Sequence, residues 1–199
     1  MTDRVWSGEI DQNSGCRLPL PKREDLDADG QRVMDRQLDP NHGSLVGLRG
    51  PTGIRLHSPA IAEHNQALVA HFRSASILSK RTQEIAILVT ARAHDNNFEW
   101  AAHEPAARQA GVCDHAITAI QNNADTQTLS AQDRLVIEIG RQLFGDRRLS
   151  DELYATAIAS LGEKAMVELV SLMGMYAGTA YLLAAFDMQL PENVKPALG

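Results

Sequence analysis

The chain has 199 residues, 44% hydrophobic and 22% charged, with a formal net charge of −6. That balance is ordinary for a folded soluble domain, and the acidic excess argues against a general affinity for nucleic acid or anionic lipid. The opening MTDRVWSGEI shows no basic segment leading into an apolar run, so no secretory signal is read there. The two cysteines, Cys16 and Cys113, form neither a CxxC nor a metal-ligand spacing. A cytoplasmic protein with reduced thiols is expected.

Residues 1–56 read as a mostly irregular N-terminal arm. RLPLPKRE is extended chain, and DADGQRVMDRQL has the pattern of a short helix. The turn signals Pro40, Gly43, Gly47, Gly50, Pro51 and Gly53 follow. Residues 57–199 read as an all-helical domain. Ser58 and Pro59 supply an N-cap and a first-turn proline for a helix to about Phe72. Ser79 caps the next, QEIAILVTARA, which ends near Ala93. HDNN is a polar turn, and the helix after it closes at Gly111. Asp114 is expected to cap a short helix over DHAITAIQ. Ser130, with Asp133 three residues on, starts a helix reaching about Phe144. Ser150 starts another, ended by Gly162, and a long apolar helix occupies about 163–186. No alternating strand pattern follows residue 58, so the class is all-α, a single-domain bundle with short connections.

Residues 169–186 carry no charge, near the lower limit of a membrane span. Ser171, Thr179 and two tyrosines lie within the run, Glu168 and Asp187 bound it, and no basic cluster flanks it. The expectation is a buried core or interface helix and no membrane. Gly174, Ala177, Gly178 and Ala180 would let another backbone come close.

The chemistry gathers in NNFEWAAHEPAARQAG. Glu99 and His103 are four apart and share a helix face. HDNN is short enough to make this helix and its predecessor an antiparallel hairpin. Glu84 and His103 then both lie on the order of 10–15 Å from the turn at 1.5 Å rise per residue. Two carboxylates and an imidazole would converge among Ala, Ile, Leu and Val. An imidazole between carboxylates has its tautomer fixed and can move a proton near neutral pH. Two carboxylates in a partly apolar site can leave one protonated and donating. The plain alternative is a surface Glu99–His103 pair with Glu84 solvated. A metal is not expected: HExxH would need His where Ala107 stands. GxSxG is absent, which leaves nucleophilic catalysis with little support, and no Gly-rich phosphate loop occurs.

LSKRTQEIAILVTARAHDNNFEWAAHEPAARQAGV resembles the core motif of the carboxymuconolactone decarboxylase family, within the alkyl hydroperoxidase D-like superfamily. Arg81, Glu84, His103, Ala107 and Gly111 fit the family pattern. RLPLP, LHSPAIAE and GMYAGTAYLLAAFDMQLPE resemble the longer members, so the likeness covers nearly the whole chain. Peroxidase members carry C-x-x-C-x-x-x-H. The two thiol positions here are Asn96 and Glu99, which disfavours disulfide chemistry at this site. The decarboxylase-like members have Glu at the second position. For them the resemblance implies cofactor-free proton transfer on a carboxylated lactone and assembly into trimers or hexamers.

The expectation is therefore a decarboxylase-like lyase or isomerase acting on a small carboxylic acid or lactone from aromatic catabolism. His103 is its general acid or base, Glu99 orients it, and Glu84 supplies or accepts a second proton. Arg81 holds a substrate carboxylate or pairs with a nearby Glu. Trp100 walls the pocket or packs the core, and His57 reaches the pocket mouth. The alternative from another class is a non-catalytic small-molecule binding or assembly protein on the same fold. The pocket discriminates them: convergence of Glu84, Glu99 and His103 in a closed cavity favours the first, exposure to bulk water the second.

Overall fold

A computed structural model of the protein describes residues 8–39 and 47–199. The turn signals Pro40 and Gly43, and the first seven residues of MTDRVWSGEI, lie outside them. Eight α-helices, and no strand, occur among the described residues: α1 (Ala28–Leu38), α2 (Pro51–Arg55), α3 (Pro59–Ser74), α4 (Lys80–Ala93), α5 (Asn97–Gln109), α6 (Asp114–Gln121), α7 (Ala131–Gly145) and α8 (Asp151–Ala185). The all-α expectation holds. Two compact units are distinguished, one drawn from Met1–Val69 and Tyr181–Asn193, the other from Ala70–Ala180 and Val194–Gly199.

The first unit contains the arm. Asp27 caps α1 by accepting from the Gly30 amide at 2.8 Å. Val33 and Met34 of α1 form a small core with Leu56 and Ala62. The N-terminal segment is tied to the chain after α8. The Arg17 amide donates to the Phe186 carbonyl and the Gln189 amide to the Gly15 carbonyl, both at 2.9 Å. Two details differ from the sequence reading. The end of RLPLPKRE runs into a short 3-10 turn at Arg23–Asp25. The run of turn signals hides α2, a five-residue helix started by Pro51. A Cβ at Gly53 would lie 2.1 Å from the Leu48 carbonyl oxygen, so this glycine marks a close backbone approach rather than a turn.

The second unit is built around α4, which packs most extensively on α5 and α7. Nine of its residues, from Thr82 to Ala91, are buried. A helix enclosed on most sides needs apolar or small residues around most of its circumference, which is what QEIAILVTARA supplies. Helix α7 reaches it at Gly140, where a Cβ would stand 2.4 Å from Val89 Cγ1. Caps fix the boundaries: Ser79 Oγ accepts from the Thr82 amide, and Ser130 Oγ from the Asp133 amide, both at 3.1 Å. Asp114 does not cap α6. That place falls to Cys113, whose side chain makes no cap bond, because the Asp114 carboxylate pairs with Arg108 instead.

Helix α8 runs on through Gly162 only in outline: Gly162 has φ 77° and ψ 164°, so two helical arms meet there at a left-handed break. The whole of Asp151–Ala185 is long and apolar enough to cross a membrane by length and composition, yet 44% of its apolar window is buried in the protein. Leu169, Leu172, Met173 and Ala180 form that buried face. Within the chain the burial is one-sided, and the opposite face is open. Val167 is 65% and Val170 37% exposed, and no atom lies within 4 Å of a Cβ built on Gly174 or Gly178.

Candidate active site

The site lies in the second unit. Helices α4 and α5 are joined by residues 94–96, with Asp95 in the left-handed region at φ 46°. Asn96 Oδ1 accepts from the Glu99 amide at 3.0 Å, so the cap itself sets Glu99 in the first turn of α5. Carboxylates are favoured there by the helix dipole. One turn on, His103 faces back toward α4.

The hairpin brings Glu84, Glu99 and His103 together. Glu84 Oε2 is 2.9 Å from His103 Nδ1, and Glu99 Oε2 is 3.7 Å from His103 Nε2. Glu99 is 5% and His103 7% exposed, so the solvated surface pair is excluded. The short contact is made by Glu84, while Glu99, to which the sequence reading gave the orienting role, stands farther off. An ionised carboxylate only accepts, so Nδ1 carries the proton and donates to Glu84. In the neutral ring Nε2 is then a bare acceptor. Tyr176, 73 residues along the chain, meets that nitrogen with its hydroxyl at 3.2 Å. Its ring stands edge-on to the imidazole, with centroids 5.1 Å apart and planes at 90°. With the ring neutral and Nδ1 protonated, the phenol O–H donates to Nε2, and the imidazole is engaged on both sides.

Sequence reasoning missed Tyr176, which it placed in a packing helix. One signal was available: a tyrosine in a run of Gly, Ala and Leu has a hydroxyl that needs a partner. Of the other three residues named from the sequence, Trp100 takes one of its two expected roles, Arg81 pairs with a carboxylate other than the expected Glu, and His57 lies in the other unit. Arg81 forks onto Asp133, with Nη2 at 2.6 Å from Oδ2 and Nη1 on Oδ1, while Nε donates to the Gly111 carbonyl at 3.1 Å. The hydrogen bond to Asp133 also raises the guanidinium pKa above its ordinary value. The guanidinium edge that would grip a substrate carboxylate is thus occupied, and its partner is an Asp rather than a Glu. Trp100 is 1% exposed in the core, with Nε1–H donating to Glu104 Oε2 at 3.1 Å, so it packs. His57 belongs to the first unit, where its Nε2 is 2.8 Å from the Pro19 carbonyl oxygen.

Among the described residues no group of three or more His, Cys, Asp or Glu side chains has the arrangement to hold a metal ion. Cys16 and Cys113 are both free. Two cavities of the second unit are lined by other residues, one of about 200 Å³ beside Arg92 and Phe144 and one of about 560 Å³ beside Leu135 and Leu153. The buried cluster can therefore hold and move a proton between Glu84, His103 and the Tyr176 side.

No curated protein matches the chain. Residues 58–139 match the model of the carboxymuconolactone decarboxylase family. That span covers α3 to α6 and the first part of α7, and so includes Glu84, Glu99 and His103 but not Tyr176. On that match, joined to the all-helical fold, the chain carries a domain of the carboxymuconolactone decarboxylase family.

Proposed function

We propose that the protein is a cofactor-free proton-transfer enzyme, a decarboxylase-like lyase or isomerase. Its substrate is a small carboxylated lactone or related acid from aromatic breakdown. The observation that carries this reading is a buried imidazole held at both nitrogens, with Glu84 on Nδ1 and a phenol on Nε2. Glu84 fixes the tautomer, so His103 acts through Nε2. It takes a proton from a substrate carbon or returns one to the carbanionic carbon left when carbon dioxide departs. Glu99, 3.7 Å from Nε2, stabilises the imidazolium while it exists. Such positioned acid–base catalysis contributes ~10²–10⁴-fold.

The test is carbon dioxide release and isomer formation from a panel of small lactone acids, with wild-type protein and His103→Ala side by side. Turnover that survives in the variant overturns the reading, as does wild-type protein that binds panel members without converting them. That second result would favour a binding protein on the same fold.

We also propose that the chain works as a cytoplasmic homo-oligomer. What supports the assembly is the open face of α8, where Val167 and Val170 stand exposed in line with two glycines that nothing covers.

A further inference from the structure

We infer that the second unit carries a binding site for a small cyclic monocarboxylate, in the cavity of about 200 Å³ at the C-terminal ends of α4, α6 and α7. None of Glu84, Glu99 and His103 lines it. Arg92, which does, stands eight residues beyond Glu84 on α4, about 12 Å at 1.5 Å rise per residue. The inference therefore stands or falls apart from the proton-transfer reading. Three helices end here, α4 at Ala93, α6 at Gln121 and α7 at Gly145. Helix C-termini carry partial negative charge and leave carbonyls to be satisfied, so an arginine can be present merely as a cap. Arg141 is used in that way. Its Nη2 donates to the Ala119 carbonyl at 3.1 Å and the Ala124 carbonyl at 2.8 Å, and its Nη1 to Glu138 at 3.2 Å. Arg92 is not. Its Nη1 pairs with Asp95, but its Nε is buried and has no hydrogen-bond partner among the described residues. A buried donor left unmet is costly, and more so on a charged group. This nitrogen points to an acceptor that comes from outside.

The wall sets the sign and the shape of the ligand. It holds two guanidinium groups and, among the described residues, no carboxylate. Asp95 is 68% exposed, where solvent screens its charge. An acid is therefore favoured over a base. Val89, Ile120 and Phe144 make the apolar part of the wall, and the His94 ring braces Phe144 edge-on, with centroids 5.0 Å apart. A Cβ on Gly145 would meet nothing within 4 Å, so the glycine leaves the wall open on that side. Asn123, in the left-handed region at φ 50°, adds an amide side chain to the lining. Pockets for drug-sized ligands run ~300–1,000 Å³, so this one takes a single ring or a chain of similar bulk. The carboxylate draws the guanidinium away from Asp95, an exposed pair of a kind that holds weakly. It then engages Nε and one Nη in the two-pronged geometry that arginine offers, and the ring lies against Phe144.

Benzoate is the probe, titrated into wild-type protein while nitrogen-15 NMR follows the Arg92 Nε–H, which burial protects from exchange. The resonance should shift and saturate. Benzyl alcohol keeps the ring without the charge, and should bind roughly 10–100-fold more weakly, as loss of a hydrogen bond to a charged group implies. Inorganic phosphate keeps charge without the ring, and should also bind more weakly than benzoate. In Arg92→Gln the Val89 methyl signals take over as reporter, and benzoate should weaken by the same factor as benzyl alcohol does in the wild type. A wild-type Nε–H that benzoate leaves unmoved overturns the inference, whether or not the variant folds. Benzyl alcohol bound as tightly as benzoate would make the cavity merely apolar, and phosphate bound as tightly would make Arg92 an indiscriminate anion contact; either result overturns it. So does unweakened binding in Arg92→Gln. A shift that disappears in His103→Ala would place the benzoate at the catalytic cluster, and overturns it as well.

Discussion

His103 has neighbours at both ring nitrogens, so its partners need not share the work equally. Glu84 touches Nδ1 at 2.9 Å, whereas Glu99 stands 3.7 Å from Nε2. Glu84→Gln removes the charge that fixes the tautomer, so its loss of turnover should approach that of His103→Ala, ~10²–10⁴-fold. Glu99→Gln should cost less. If Glu84 and His103 act as one unit, the double variant is scarcely slower than His103→Ala alone; steady-state kinetics of the four proteins decide it, and multiplied losses would mean independent roles. Replacing Cys16 and Cys113 with Ser should leave turnover per folded molecule unchanged, since neither thiol takes part; peroxide turnover that disappears in the double variant would show otherwise. What the sequence disclosed of the site followed from local geometry. Glu99 and His103 are a helical i,i+4 pair, and a short hairpin turn fixes where Glu84 arrives. Tyr176 lies 73 residues from His103 and Asp133 lies 52 from Arg81, and helical periodicity carries no information across such separations.

Helix α4 is enclosed, so its neighbours set the limits of what it tolerates. Gly140 of α7 lies where a Cβ would meet Val89 Cγ1 at 2.4 Å. Overpacking of this kind costs ~1–3 kcal/mol, and Gly140→Ala should lower the denaturation midpoint accordingly; an unchanged midpoint would mean that Val89 simply turns aside. The turn between α3 and α4 is clamped by Glu168 of α8. Its carboxylate accepts from Ser76 Oγ at 2.6 Å and from the Ile77 amide at 3.1 Å, with His71 Nε2 at 3.4 Å. The Ser76 hydrogen bond, followed by the Ile77 amide and His71, holds the Glu168 pKa below its ordinary value. A depressed carboxylate pKa stabilises the fold above the unfolded pKa, and the contribution is lost as pH falls through the folded one. Thermal melts of Glu168→Gln and wild type should therefore differ at neutral pH and converge toward acid; a constant gap would assign the effect to shape rather than charge. Helix boundaries were legible where a serine caps the backbone, as at Ser79 and Ser130. At α6 the boundary DHAITAIQ was legible but the capping residue was not, because Asp114 has a competing partner in Arg108. Nor was α2 legible, because Pro and Gly serve both turns and tight helix contacts.

The open face of α8 bears on assembly. Nothing within the chain opposes a side chain at Gly178. Gly178→Leu should therefore leave the circular dichroism and melting of the isolated subunit intact while shifting the light-scattering mass of the assembly downward. A variant that misfolds, or a wild type that is monomeric throughout, would remove α8 from the interface. The sequence marked this helix as apolar but not which face is covered, because its small residues, Gly174, Ala177 and Gly178, suit tight packing and open surface equally. The indole of Trp100 has an optical consequence. The chain contains two tryptophans, Trp6 and Trp100. Trp6→Phe leaves a single fluorophore, buried and hydrogen-bonded to Glu104, one position along α5 from Glu99. Its emission should be blue-shifted in the folded protein and move to the red on melting, so that one wavelength follows the helices that carry His103 through every variant described above.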